Sequence, residues 1–153
     1  MRQMLILLTL ALLLTGCTTP STYSSQEAKR NGDIVVGPGG PLNTDKIIPF
    51  ITNVDNGQES HLRITSYTDE GDPIISDLHY DGKKIKYSYD TSRDEFGGTS
   101  RGKSNTTCEK ILSRDVVRED KAIGMQYVLA GCKKIIGPHE SGKKEIHLLF
   151  VEK

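Results

Sequence analysis

Between His61 and Asp90 apolar and polar residues alternate, in the run HLRITSYTDEGDPIISDLHYDGKKIKYSYD. A period of two is the pattern of strands with one buried face. Asp81-Gly82 lies between two such runs, and both residues tolerate the positive φ of a tight hairpin. A two-residue loop there pairs Tyr80 with Lys83, Leu78 with Ile85, Ser76 with Tyr87 and Ile74 with Tyr89. That register puts the apolar set on one side. The other side pairs Asp77 with Lys86 and His79 with Lys84, a polar surface suited to solvent. A four-residue loop keeps the same facing. Upstream, Thr68–Pro73 is a turn, and pairing Leu62 with Leu78 and Ile64 with Ser76 brings a third strand onto the apolar side. Pro73 then opens its strand, where a missing N–H does least harm.

The remaining pattern adds a helix and a second hairpin. Residues 43–57 carry a stripe of Ile47, Ile51 and Val54 flanked by Ile48 and Phe50, with Asn56-Gly57 as the stop. Pro49 is tolerable if the helix begins near Asp45, so that the lost bond falls in the first turn. Ile34-Val35-Val36 is a short strand ended by the turn Gly37–Pro41, and Asp94–Ser104 is a polar loop. Thr106–Val117 and Ile123–Ile136 form the second hairpin, centred on Asp120, with Ile111 across from Leu129, Ser113 from Tyr127 and Val117 from Ile123. Glu145–Val151 is the last strand. The expected fold class is α+β, one helix packed on a twisted antiparallel β-sheet of five to seven strands.

The first residues break this pattern. Arg2 is followed by Met4–Leu14, apolar except for Thr9, and then by Leu14-Thr15-Gly16-Cys17. The apolar run is shorter than the roughly 20 residues a membrane-spanning helix needs, but it suits the core of a signal peptide. The sequel resembles the lipobox of bacterial lipoproteins: a branched apolar residue, a small residue, Gly or Ala, then Cys. The resemblance implies that Cys17 carries a thioether-linked diacylglycerol and becomes the first mature residue, two acyl chains being enough for stable anchorage. Residues 1–16 are thus expected to be a lipoprotein signal peptide, 17–33 the lipidated Cys and a disordered tether, and 34–153 a single domain. The polar stretch after Cys17 has no apolar period, and sixteen such residues would reach roughly 20–25 Å. The expected location is the outer face of the cytoplasmic membrane.

The chain has 153 residues, enough for one ordinary domain. Twenty basic side chains balance twenty acidic ones and Trp is absent. No net field and no stacking platform point to nucleic acid. With Cys17 assigned to lipid, Cys108 and Cys132 remain, an even pair for a non-reducing compartment. Opposed across the second hairpin, they are placed for a disulfide closing about 25 residues, worth roughly 3–4 kcal/mol in the chain-entropy model. The alternatives are a buried pair of free thiols or a metal or redox pair.

Three runs then carry a family resemblance: Ser66–Ile75 (SYTDEGDPII), Leu78–Tyr87 (LHYDGKKIKY) and Tyr89–Asp94 (YDTSRD). Together with Thr107-Cys108 and Gly131-Cys132 they resemble a family of small Gram-positive bacterial lipoproteins catalogued as a domain of unknown function. The likeness covers about residues 31–153 and implies no activity, cofactor or catalytic residue.

Candidate chemistry is sparse. His61, His79 and Asp77 fall near one another on the polar side of the meander, a set that suits zinc or copper, although Lys84 is expected beside His79. Asp69, Glu70 and Asp72, with Asp90, Asp94 and Glu95, form an acidic cluster of the kind that binds calcium. Ser66, Ser76 and Ser88 lie in strands, outside any nucleophile elbow, and the acids Asp77 and Glu109 carry no catalytic signature. The leading expectation is a non-catalytic binding module without cofactor, whose partner is an envelope protein or wall polymer. A wall- or peptide-directed enzyme and a metal or calcium binder are the alternatives.

Overall fold

The computed structural model describes residues 23–153. The signal run and Cys17 lie outside the described residues. In chain order the elements are α1 (Ser25–Arg30), β1 (Ile34–Gly37), β2 (Gly40–Leu42), a 3-10 turn (Thr44–Lys46), α2 (Ile47–Asp55), β3 (Ser60–Tyr67), β4 (Pro73–Tyr80) and β5 (Ile85–Asp90). A second 3-10 turn (Gly98–Ser100) precedes β6 (Lys103–Cys108), β7 (Lys110–Val117), β8 (Ile123–Ala130) and β9 (Glu145–Glu152). A six-stranded sheet has the order β2-β1-β3-β4-β5-β6, and a three-stranded sheet the order β7-β8-β9.

The expected class, one helix on one antiparallel sheet, is therefore corrected: the domain is mostly β, with nine strands in two sheets among the described residues. Two features account for the difference. The run read as one strand, Thr106–Val117, divides at Glu109, so that β6 closes the large sheet while β7 starts the small one. In addition, β1 joins the large sheet parallel to β3, pairing Ile34 with Ile64 and Val35 with Thr65.

The meander keeps its expected facing. Leu62 pairs with Leu78 and Ile64 with Ser76. The β4–β5 loop has four residues, not two, so Tyr80 faces Ile85 and Leu78 faces Tyr87. Asp81 selects the longer loop, its Oδ1 accepting the N–H groups of Lys83 (3.1 Å) and Lys84 (3.0 Å). The β7–β8 ladder has the expected register, with Ile111 opposite Leu129 and Val117 opposite Ile123.

One main core lies between the layers. Ile34, Ile64, Leu78, Ile85 and Tyr87 of the large sheet meet Tyr127, Leu129, Ile146 and Leu149 of the small one, and α2 adds Ile47 and Phe50. Ile51 and Val54 pack at its margin while Ile48 is exposed. Pro49 is the third residue of α2, inside the first turn where its missing N–H costs no helical bond.

Within the segment expected as a tether, Tyr23 and α1 pack onto the large sheet. Ser24 caps α1 by accepting the Glu27 N–H, and Lys29 and Arg30 occupy the last turn. Only Ala28 of this helix is buried, which is why no apolar period betrays it. With Tyr23 it covers Val35 and Ile75, so part of the outer sheet face is a second small core rather than solvent-facing surface. What holds the helix down is Asp33, 5% exposed. Its Oδ2 accepts the hydroxyls of Tyr23 (2.8 Å) and Thr65 (2.7 Å), and its carbonyl accepts the Asn43 amide (2.9 Å). Tyr67 donates to the Tyr23 carbonyl, and the Arg93 guanidinium lies 5.9 Å from the Tyr23 ring centroid.

Replacing Asp33 by Ala strands two buried hydroxyls and should cost about 3 kcal/mol of folding stability, whereas Thr65→Val removes one of the donors and should cost about 1–2 kcal/mol. Urea unfolding midpoints measure both. A loss under about 0.5 kcal/mol for Asp33→Ala would show that the carboxylate does not fasten the helix.

Candidate functional site

Strand alternation fixes what the outer face of the large sheet presents. Three rows cross its strands. Val35, Thr65 and Ile75 form the row under α1. Next come Arg63, Asp77, Ser88 and Asn105, each paired with the one before, and then His61, His79, Lys86 and Thr107. Apart from Arg63, these two polar rows floor an open groove of about 650 Å³. Its rim at the β6 edge is Lys133-Lys134, from the segment that follows β8.

The rim is positioned by covalent and hydrogen bonds. Cys132 is disulfide-bonded to Cys108 at the end of β6. Gly131, at φ +66°, supplies the left-handed turn that brings Cys132 there. The Lys133 N–H donates to the Thr107 carbonyl (3.0 Å) and the Lys134 N–H to Thr106 Oγ1 (3.0 Å). Two lysines thus lie along the sheet edge instead of on a free loop.

The electrostatics of the floor are ordered as well. Asp77 is gripped by Arg63 through two bonds, Nε at 2.7 Å and a terminal amine at 3.2 Å. His61 Nε2 lies 3.3 Å from the same carboxylate. His79 turns to Glu59 instead, at 3.5 Å. Lys86, not Lys84, is the neighbour of His79, because the longer hairpin loop shifts the pairing by two residues; Lys84 pairs with Glu109 at 3.2 Å. The Ser88 hydroxyl is enclosed and has no hydrogen-bond partner. Burial pushes the neighbouring Tyr87 phenol up to about 12, partly offset by its bond with Ser76, so it stays neutral at the core.

Of the sequence-predicted residues, the structure brings His61, His79 and Asp77 onto one face but not into one ligand set. Among the described residues no group of three or more His, Cys, Asp or Glu side chains is arranged to hold a metal ion. The acidic cluster is used in loop structure: Asp72 Oδ2 accepts the Glu95 N–H (2.8 Å), Asp90 Oδ1 the Ser92 N–H (2.9 Å) and Asp94 Oδ1 the Phe96 N–H (3.1 Å). Cys108 and Cys132 are paired as expected. Lys133, Lys134, Ser88 and Asn105 carried no local signal as a site; the ladder registers place Ser88 and Asn105, and the disulfide with two backbone bonds places the lysines.

Comparison with known proteins gives one match. A family model described as a domain of unknown function (DUF4362) fits residues 31–127, from the end of α1 into β8. No curated protein and no solved structure matches the chain.

The hairpin turn beside the groove provides a pH test. Asp81 is held down to about 2 by the Lys84 backbone amide, then by the Lys86 ammonium and the Lys83 amide. Unfolded, such a carboxyl titrates near 3.9. The turn's stabilisation is therefore present above about pH 4 and lost as pH falls through about 2. Carboxyl-carbon NMR of Asp81 against pH should give that low midpoint, and Lys86→Ala should raise it. A midpoint near 4 in the native protein would contradict this geometry.

Proposed function

The chain belongs to the family described as a domain of unknown function (DUF4362), and on that footing we propose that it is a membrane-anchored extracytoplasmic lipoprotein of a Gram-positive bacterium. Its domain is a non-catalytic binding module for an envelope protein or wall component, and the outer-face groove is where that partner is held. The observation that carries the reading is the groove itself: an open 650 Å³ site whose walls are set by sheet register and by the disulfide-fixed rim. Such sites bind with preformed geometry at little ordering cost. The Ser88 hydroxyl makes no bond to either imidazole, so no serine–histidine pair is assembled in it.

Location is supported from two sides. A disulfide is at home in an oxidising compartment, and Leu14-Thr15-Gly16-Cys17 has the form of an acylation signal. Among the described residues no helix is long and apolar enough to cross a membrane, which leaves anchorage to Cys17 in this reading. Tyr23 lies six residues after Cys17 in the chain, 23 minus 17. A chain of that length spans at most about 20 Å. The domain therefore sits near the lipid headgroups, closer than a sixteen-residue tether would hold it.

Mass analysis of the native protein should find Cys17 as an acylated N-terminus, and Cys17→Ser should abolish that mass. A photo-crosslinking amino acid at position Asn105 should capture an envelope component in intact cells, and the same group at Lys121, far along the β7–β8 turn, should not. Recovery of the native protein in the cytosol, unacylated and with free thiols at Cys108 and Cys132, would sink the proposal.

A further inference from the structure

We propose that the outer-face groove binds a phosphate-bearing anion, held by Lys133 and Lys134 on the rim and by Lys86 on β5. The inference deepens the function proposed above and rests on it, since it names the chemical class the groove accepts.

Charge is the first argument. Three lysines line the groove, and its one lining carboxylate, Asp77, is already matched by the bidentate Arg63. Lys86 is shared with Asp81 at 3.2 Å. Among the described residues neither Lys133 nor Lys134 has a carboxylate within 4.0 Å. Two unpaired ammonium groups on a fixed backbone leave the rim positive despite the balanced charge of the whole chain. A concave site with uncompensated charge of one sign focuses its potential on counter-ions.

Donor geometry is the second. Ser88 lines the groove between Asp77 and Asn105. The Asn105 amide and the Thr107 hydroxyl lie on the same floor. Lysine presents a point charge with freely rotating donors, while the planar fork of arginine is the better match to a planar carboxylate. No arginine lines the groove. Ammonium groups combined with hydroxyl and amide donors suit the tetrahedral array of phosphate oxygens.

Size completes the case. A volume of about 650 Å³ exceeds what one inorganic phosphate fills. The phosphate is accordingly one group of a larger molecule, such as a phosphodiester-linked chain or a lipid headgroup. The Cys108–Cys132 bond has a positioning role here, since it fixes the backbone from which both rim lysines project.

Calorimetric titration of the full chain in non-ionic detergent at low salt tests this, with glycerophosphoglycerol, inorganic phosphate and citrate as probes. Both phosphates should bind and compete with each other. Glycerophosphoglycerol binding more tightly than inorganic phosphate supports a phosphodiester of a larger molecule, and inorganic phosphate binding more tightly would overturn it. Lys133→Ala with Lys134→Ala should weaken binding about tenfold or more, with the disulfide and melting temperature retained. Lys110→Ala with Lys144→Ala, neither of which lines the groove, should leave it unchanged. Cys108→Ser with Cys132→Ser should weaken binding while every lysine remains. Citrate binding as tightly as the phosphates, no phosphate binding at all, or an equal loss in the Lys110/Lys144 control would each overturn it. If the phosphates fail while crosslinking at Asn105 still captures an envelope component, the ligand class falls and the binding-module reading stands.

Discussion

A single carboxylate with almost no access to water decides how the outer face of the large sheet is divided. Burying Asp33 is costly unless its oxygens are used, and Tyr23 and Thr65 use them. Those two bonds tie the entry of the chain to β3, and α1 is carried down onto Val35 and Ile75 as a result. Where the helix stops, the two polar rows begin. The groove is therefore the complement of the helix footprint: one face of one sheet, covered in part by α1 and left open beside it.

Much of the strand pairing was legible because the period-two pattern leaves few registers that bury Leu62, Leu78, Ile85 and Tyr87 together. The β3–β4 and β7–β8 ladders run as the alternation requires. The longer β4–β5 loop escaped because Asp81-Gly82 reads as a two-residue turn, while the Asp81 carboxylate binds the amides of Lys83 and Lys84 and makes four. The division at Glu109 is not visible locally, since Lys103–Val117 has no glycine or proline to mark it. It follows from which partner each half finds, β5 for one and β8 for the other. α1 was missed for a different reason. Its stability comes from a cap, from Ala28 and from Tyr23 five residues before it, none of which produces a helical stripe.

The site was legible only in part. His61, Asp77 and His79 were placed on one face by pattern alone, and the ladder keeps them there. Their partners come from elsewhere in the chain: Arg63 takes Asp77, and Glu59 lies beside His79. Lys133 and Lys134 belong to the site through a disulfide and two backbone donors. A cysteine pair announces such a bond in sequence, but not which side chains it carries to which edge.

The direction of β1 has a mechanical consequence. Because β1 lies parallel to β3, tension entering at Tyr23 and reacting through the central strands pulls Ile34, Val35 and Val36 along their partners Ile64, Thr65 and Ser66. Bonds loaded in shear share the strain at once, where bonds loaded from one end would open one pair at a time. A domain tugged by its leading segment resists as a lap joint does.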